Sequence, residues 1–175
     1  MNMRSRGRRF ILAAIVILLT LSAIYAFTPP PSVDLVMDGW VTRTIGPGIT
    51  CQVPETLQPK KVQPFDSVVT VFENADMSVS FDFGWYSNSL KSWRGEPGYS
   101  QRTVRIGSRA AKLVRVQPKD SPGKPYVAAV AFRNVSGSGN TSNHLTGSCA
   151  AATPAGQEMG EKILRTIRFD AKVGE

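Results

Sequence analysis

"YVAAVAF", residues 126–132, decides how this chain folds. Apolar residues occupy both parities of the run, so a strand here must be covered on both faces. Its odd positions, Val127, Ala129 and Ala131, are small, and they predict a closely approaching helix on that face. A candidate helix stands downstream in "TPAGQEMGEKILRTI", residues 153–167. Thr153 suits the N-cap and Pro154 the first turn. Gly156, Met159, Gly160, Ile163, Leu164 and Ile167 form one stripe, and Glu158 and Glu161 precede Lys162, Arg165 and Arg168, as the helix dipole favours. The two glycines would weaken a free helix, so they point to close packing on the Ala-rich strand.

Working outward, most of the remaining pattern is strand. "MSVSFDF" (77–83) alternates, with Met77, Val79, Phe81 and Phe83 on one face and Ser78, Ser80 and Asp82 on the other. "VTRTI" and "ITCQV" flank Gly46-Pro47-Gly48 as a hairpin, and "DSVVTVFE" (66–73) follows. "RTVRI" and "AKLVRV" sit either side of Gly107-Ser108, whereas "GWYSNSLKSWRGEPGYS" (84–100) reads as loop. The expected fold class is α+β, an antiparallel β-sheet flanked by helices and preceded by one N-terminal transmembrane helix.

That helix is read from residues 10–27, interrupted only by Thr20, Ser22 and Tyr25. Eighteen helical residues span ~27 Å, close to a hydrocarbon core of ~30 Å. Ala23 and Ala26 are three apart rather than two, a poor cleavage site, so an uncleaved signal-anchor is preferred over a removed signal peptide. Arg4, Arg6, Arg8 and Arg9 precede the run and no Lys or Arg follows until Arg43. The side rich in arginine stays cytoplasmic, which puts everything after Phe27 outside. The expected organisation is a cytoplasmic basic tail (1–9), a single-pass anchor in the inner or plasma membrane (10–27), a stiff Pro-rich linker (28–40) and one extracytoplasmic domain (41–175).

Two cysteines, Cys51 and Cys149, fit an oxidising compartment and predict a disulfide, with two buried thiols as the alternative. Neither lies in a CxxC pair and His144 is the sole histidine of the chain, so no metal site is expected.

The start "ITCQVPETL", the meander of strands and the closing "ILRTIRF" together resemble the PsbP-like domain family over residues 41–170. The resemblance implies an antiparallel sheet with flanking helices and an accessory or binding role rather than an established catalytic site.

No cofactor is expected and no catalytic residue is assigned. His144, with Ser148 and either Asp76 or Asp82, supplies the one alternative, a small extracytoplasmic hydrolase, but no nucleophile elbow accompanies it. Asn134-Val135-Ser136 and Asn140-Thr141-Ser142 match the glycosylation acceptor, and "SGSGNTSN" reads more simply as a hairpin tip. The formal charge is +8, four of it from the N-terminal arginines. Between Lys91 and Arg133 ten basic residues face only Glu96 and Asp120. Strand alternation puts Arg102 and Arg105 on opposite faces, so these charges cannot share one surface. The candidate ligand-binding set is Trp85, Tyr86 and Trp93 in the loop with Arg102, Arg105, Arg109 and Lys112 beyond it. The partners expected are the membrane, through the N-terminal helix, and an anionic lipid, envelope polymer or envelope protein; nucleic acid is not expected outside the cytoplasm.

If residues 10–27 are an anchor, the mature protein keeps its full mass and stays with membranes after an alkaline wash. A mature N-terminus near Phe27 would contradict the anchor while leaving export intact.

Overall fold

The β-branched and aromatic runs pair into two antiparallel sheets in the computed structural model, which describes residues 38–63, 66–87, 90–136 and 143–170. The elements run β1 (Trp40–Gly46), β2 (Ile49–Pro54), β3 (Gln58–Lys60), β4 (Val68–Glu73), β5 (Met77–Gly84), β6 (Ser100–Ile106), β7 (Arg109–Val116), β8 (Tyr126–Ser136), β9 (Asn143–Ala151), α1 (Pro154–Arg165) and β10 (Arg168–Phe169). The large sheet has the order β3-β4-β5-β9-β8-β7-β6, and the small one the order β1-β2-β10.

The expected α+β class, with helices flanking the sheet, is corrected by this architecture. The domain is mostly β, and α1 is the one helix among the described residues. What a second helix was expected to cover is covered by other means. The small sheet shares one core with α1 and the inner face of the large sheet, joining Ile45, Ile49 and Val53 to Phe81, Val130, Phe132, Leu145, Ile163 and Leu164. The opposite, outer face is covered by the β5–β6 loop, whose Leu90 and Trp93 pack with Val114, Val116, Val127 and Ala129. The expected transmembrane segment, 10–27, lies outside the described residues, as do the tail and most of the linker. Among the described residues no helix is long and apolar enough to cross a membrane.

The helix also sits on the other face of β8 from the one expected. Val127, Ala129 and Ala131 meet the loop cluster, while Ala128, Val130 and Phe132 face the core under α1. Side-chain size on β9 decides this. A Cβ placed on Gly160 would stand 2.3 Å from Cys149 Sγ, and one on Gly147 would stand 2.8 Å from Leu164. At each point a side chain of one element therefore packs against a glycine of the other, Cys149 against Gly160 and Leu164 against Gly147.

Both ends of α1 are fixed by polar contacts. The Thr153 hydroxyl accepts the Gly156 N–H at 3.1 Å, as its capping role predicts. At the other end the Thr166 hydroxyl accepts the Gln52 N–H at 2.8 Å and donates to the Ile163 carbonyl at 2.6 Å, which ties the helix to β2. Midway, the buried Glu161 carboxylate meets Arg102 of β6 at 2.5 Å, Arg115 of β7 at 2.7 Å and Arg165 at 2.8 Å. Burial pushes this carboxyl up, but the hydrogen bonds from Arg165 and Arg115 and the charges of Arg115 and Arg102 outweigh it. The net position lies below the ordinary glutamate value.

Cys51 and Cys149, expected as a disulfide, stand here as two separate thiols of the same core cluster. Burial pushes each of them up to about 12. As thiols they remain protonated and unreactive at neutral pH.

Two outcomes test this packing. Gly160→Ala, which in an open helix would gain roughly 0.5–1 kcal/mol, should instead cost about 1–3 kcal/mol through overpacking; denaturant unfolding reads the sign. For Glu161, a depressed folded value means stability is present above the unfolded value of about 4.3 and is lost as pH falls through the folded value. The stability advantage of the native chain over Glu161→Gln should therefore be constant near neutrality and shrink below about pH 4.

Candidate functional site

Alternation on the outer face sets up a polar row across five strands. Register places Asp82 beside Thr146, Thr146 beside Ala131, Ala131 beside Lys112 and Lys112 beside Thr103. Neighbouring strands lie ~4.8 Å apart, so Asp82 and Lys112 are separated by roughly 14 Å along this row. Ala131 is small and leaves a depression between its neighbours. The β5–β6 loop fills the outer face at Leu90 and Trp93 but leaves this end open.

A cleft of about 480 Å³ occupies the opening, lined among others by Trp85, Ser87, Thr103, Lys112, Arg133 and His144. Trp85 forms a wall and is 54% exposed, unusual for an indole in a folded domain. The cationic side is a cluster. Burial pulls the Lys112 ammonium below the ordinary lysine value, and the charges of Arg133, Arg94 and Lys91 pull it further. Lys112 and Arg133 thus line the cleft from two strands, and the loop cations Lys91 and Arg94 act on Lys112 through their charge.

His144 is held by a backbone contact. Asn134 has a positive φ of 53° at an irregularity in the β8–β9 pairing, and its N–H donates to His144 Nδ1 at 3.1 Å. Neutral His144 therefore carries its proton on Nε2 and is a donor there. Ser87 and Thr146 hydroxyls bond each other at 2.6 Å. Ser148, the nucleophile that the hydrolase alternative needs, is bonded to Ser80 at 2.8 Å. It lies four residues along the strand from His144, roughly 13 Å away at strand rise. Ser148 and His144 are therefore not brought together. One oxygen of Asp82 is buried with no hydrogen-bond partner, at the end of the row away from Lys112.

The structure brings together part of the expected site and disperses the rest. Trp85 and Lys112 line the cleft, and Tyr86 is 79% exposed next to it in the chain. Trp93 packs into the loop's own apolar cluster. Arg102 faces the helix side and pairs with Glu161. Arg109 stacks over Phe169 at 4.8 Å from the ring centre and donates to the Asn134 carbonyl. Arg105 shares the outer face but turns to the Ser108 carbonyl at 3.1 Å. Arg133, Arg94, Lys91, Ser87 and Thr146 were not singled out from sequence. The alternation of "RTVRI" and "AKLVRV" does sort Arg102 and Arg115 from Thr103 and Lys112, but the partners of each face come from register across strands distant in sequence. Among the described residues no group of acidic, His or Cys side chains could hold a metal ion.

Loop anchoring and cleft lining should separate on mutation. Leu90 is 1% exposed and holds a φ of 59°, a strained backbone that its burial must offset. Leu90→Ala should cost roughly 2–4 kcal/mol, whereas Trp85→Ala should change stability by less than about 1 kcal/mol; equal losses in thermal unfolding would contradict the division. No family model and no curated protein matches this chain, so the reading of the cleft rests on the chain's own residues.

Proposed function

We propose that the domain is a membrane-tethered, extracytoplasmic binding module with no catalytic residues of its own, and that the outer-face cleft receives an acidic group of its ligand. One observation carries this reading: Trp85, Lys112 and Arg133 line a single open cleft, and Lys91 and Arg94 add their charge beside Lys112. Like charges gathered in this way raise the local positive potential, which favours a bound anion. Arg133 offers forked donors and Lys112 a point charge, a pairing suited to phosphate or carboxylate. Ser87, Thr103 and the His144 Nε2–H add neutral donors to the lining. The tether and its direction are supported by the arginines before residues 10–27, which put the domain outside the cytoplasm. In that setting the ligand is an acidic component of the envelope rather than a nucleic acid.

The two charges test the reading directly. Lys112→Gln and Arg133→Gln should each weaken inorganic phosphate binding by about tenfold, the worth of one charge-assisted contact. Native binding should also fall with added salt. Lys112→Gln should change thermal stability by less than about 1 kcal/mol, as a substitution at the surface does. Loss of binding with loss of stability would instead mark Lys112 as a structural residue.

A further inference from the structure

A second hollow of about 610 Å³ lies on the far side of Trp85, lined by Val68, Phe83, Gly84, Trp85, Tyr86 and Asn143. Three large apolar side chains there are open to solvent: Val68 at 46%, Trp85 at 54% and Tyr86 at 79% exposure. Contiguous apolar exposure of this kind marks an interaction site in a soluble domain. The hollow joins the cationic cleft through Trp85, which lines both, and through the neighbouring pair Asn143–His144.

From this juxtaposition we infer that the ligand is an anionic amphiphile, with its acidic head at Lys112 and Arg133 and its alkyl chain over Trp85 onto the shelf of Tyr86 and Val68. The inference rests on the anion-binding reading proposed above and adds the chemistry of the rest of the ligand. Charge fixes the orientation. Asp66 lines the apolar hollow and Asp82 ends the polar row on that side, so an acidic head is repelled there and drawn to the opposite end. The apolar part gains by covering surface that the fold leaves wet, at about 25 cal/mol per Å² removed from water. An indole ring suits the junction, since it offers a broad apolar face to the chain. A purely polymeric acid would use the cleft and leave the shelf exposed.

Calorimetric titration of the full-length chain in zwitterionic-lipid nanodiscs, with empty nanodiscs as the blank, separates the possibilities. The probes are dodecyl phosphate below its micelle-forming concentration, inorganic phosphate and dodecanol. Dodecyl phosphate should bind at least about tenfold more tightly than inorganic phosphate, the gain expected from covering even a small apolar area, and dodecanol should not bind measurably. Trp85→Ala should weaken dodecyl phosphate but leave inorganic phosphate unchanged, while Arg133→Gln should weaken both. Equal affinity for the two phosphates, unaffected by Trp85→Ala, would overturn the amphiphile and leave the anion site standing. Dodecanol binding as tightly as dodecyl phosphate would overturn the anion site as well, as would no binding by any probe.

Discussion

Where Gly160 of the helix meets β9, the Cys149 side chain fills the gap and leaves no room for a second one. This contact sets the arrangement of the remaining elements. It draws α1 onto the centre of the large sheet, where Ile163, Leu164 and Ile167 become fully buried. Burial of such side chains stabilises by roughly 1.5–3 kcal/mol each. Once the helix is seated, Glu161 comes within reach of Arg102 on the edge strand β6 and Arg115 on its neighbour β7 and pairs with both. The inner face is thereby consumed by structure, and its charged residues are consumed with it.

The outer face has a different economy of contacts. One stretch of loop, anchored by Leu90 and Trp93, covers its apolar half and stops short of its polar half. Lys112 of β7 and Arg133 of β8 line the uncovered end, and the charges of Arg94 and Lys91 on the loop add to theirs. The same alternation that gives the sheet two faces thus sends Arg102 and Arg115 to Glu161 and Lys112 to the cleft.

Local signals carried much of this. The Thr153–Pro154 helix start, the alternation of residues 77–83, the tight turn at Gly107-Ser108 and the loop between β5 and β6 are legible because each depends on neighbours in sequence. β9 is not, since "NHLTGSCAA" has small and hydroxyl residues where strands usually carry bulk. Those residues are small because α1 lies on them, a fact set by a segment further along the chain. The face of β8 that receives the helix was equally hidden, as Ala128 and Ala129 are alike and only the glycines opposite distinguish them. Arg133, and the place of His144 beside it in the cleft, were hidden for a similar reason. Their meeting with Lys112 and Trp85 comes from register across β7, β8 and β9 and from the irregularity at Asn134. The expectation of several helices failed because a loop and a small sheet supply the cover.

The claim that one face binds while the other holds the fold together is tested most directly by amide chemical-shift mapping of the full-length chain during titration with dodecyl phosphate. The account predicts shifts at Trp85, Lys112, Arg133, His144 and Thr146, on the outer face, with Arg102, Arg115 and Glu161 unmoved. Shifts centred on Arg102, Arg115 and Glu161 would contradict it.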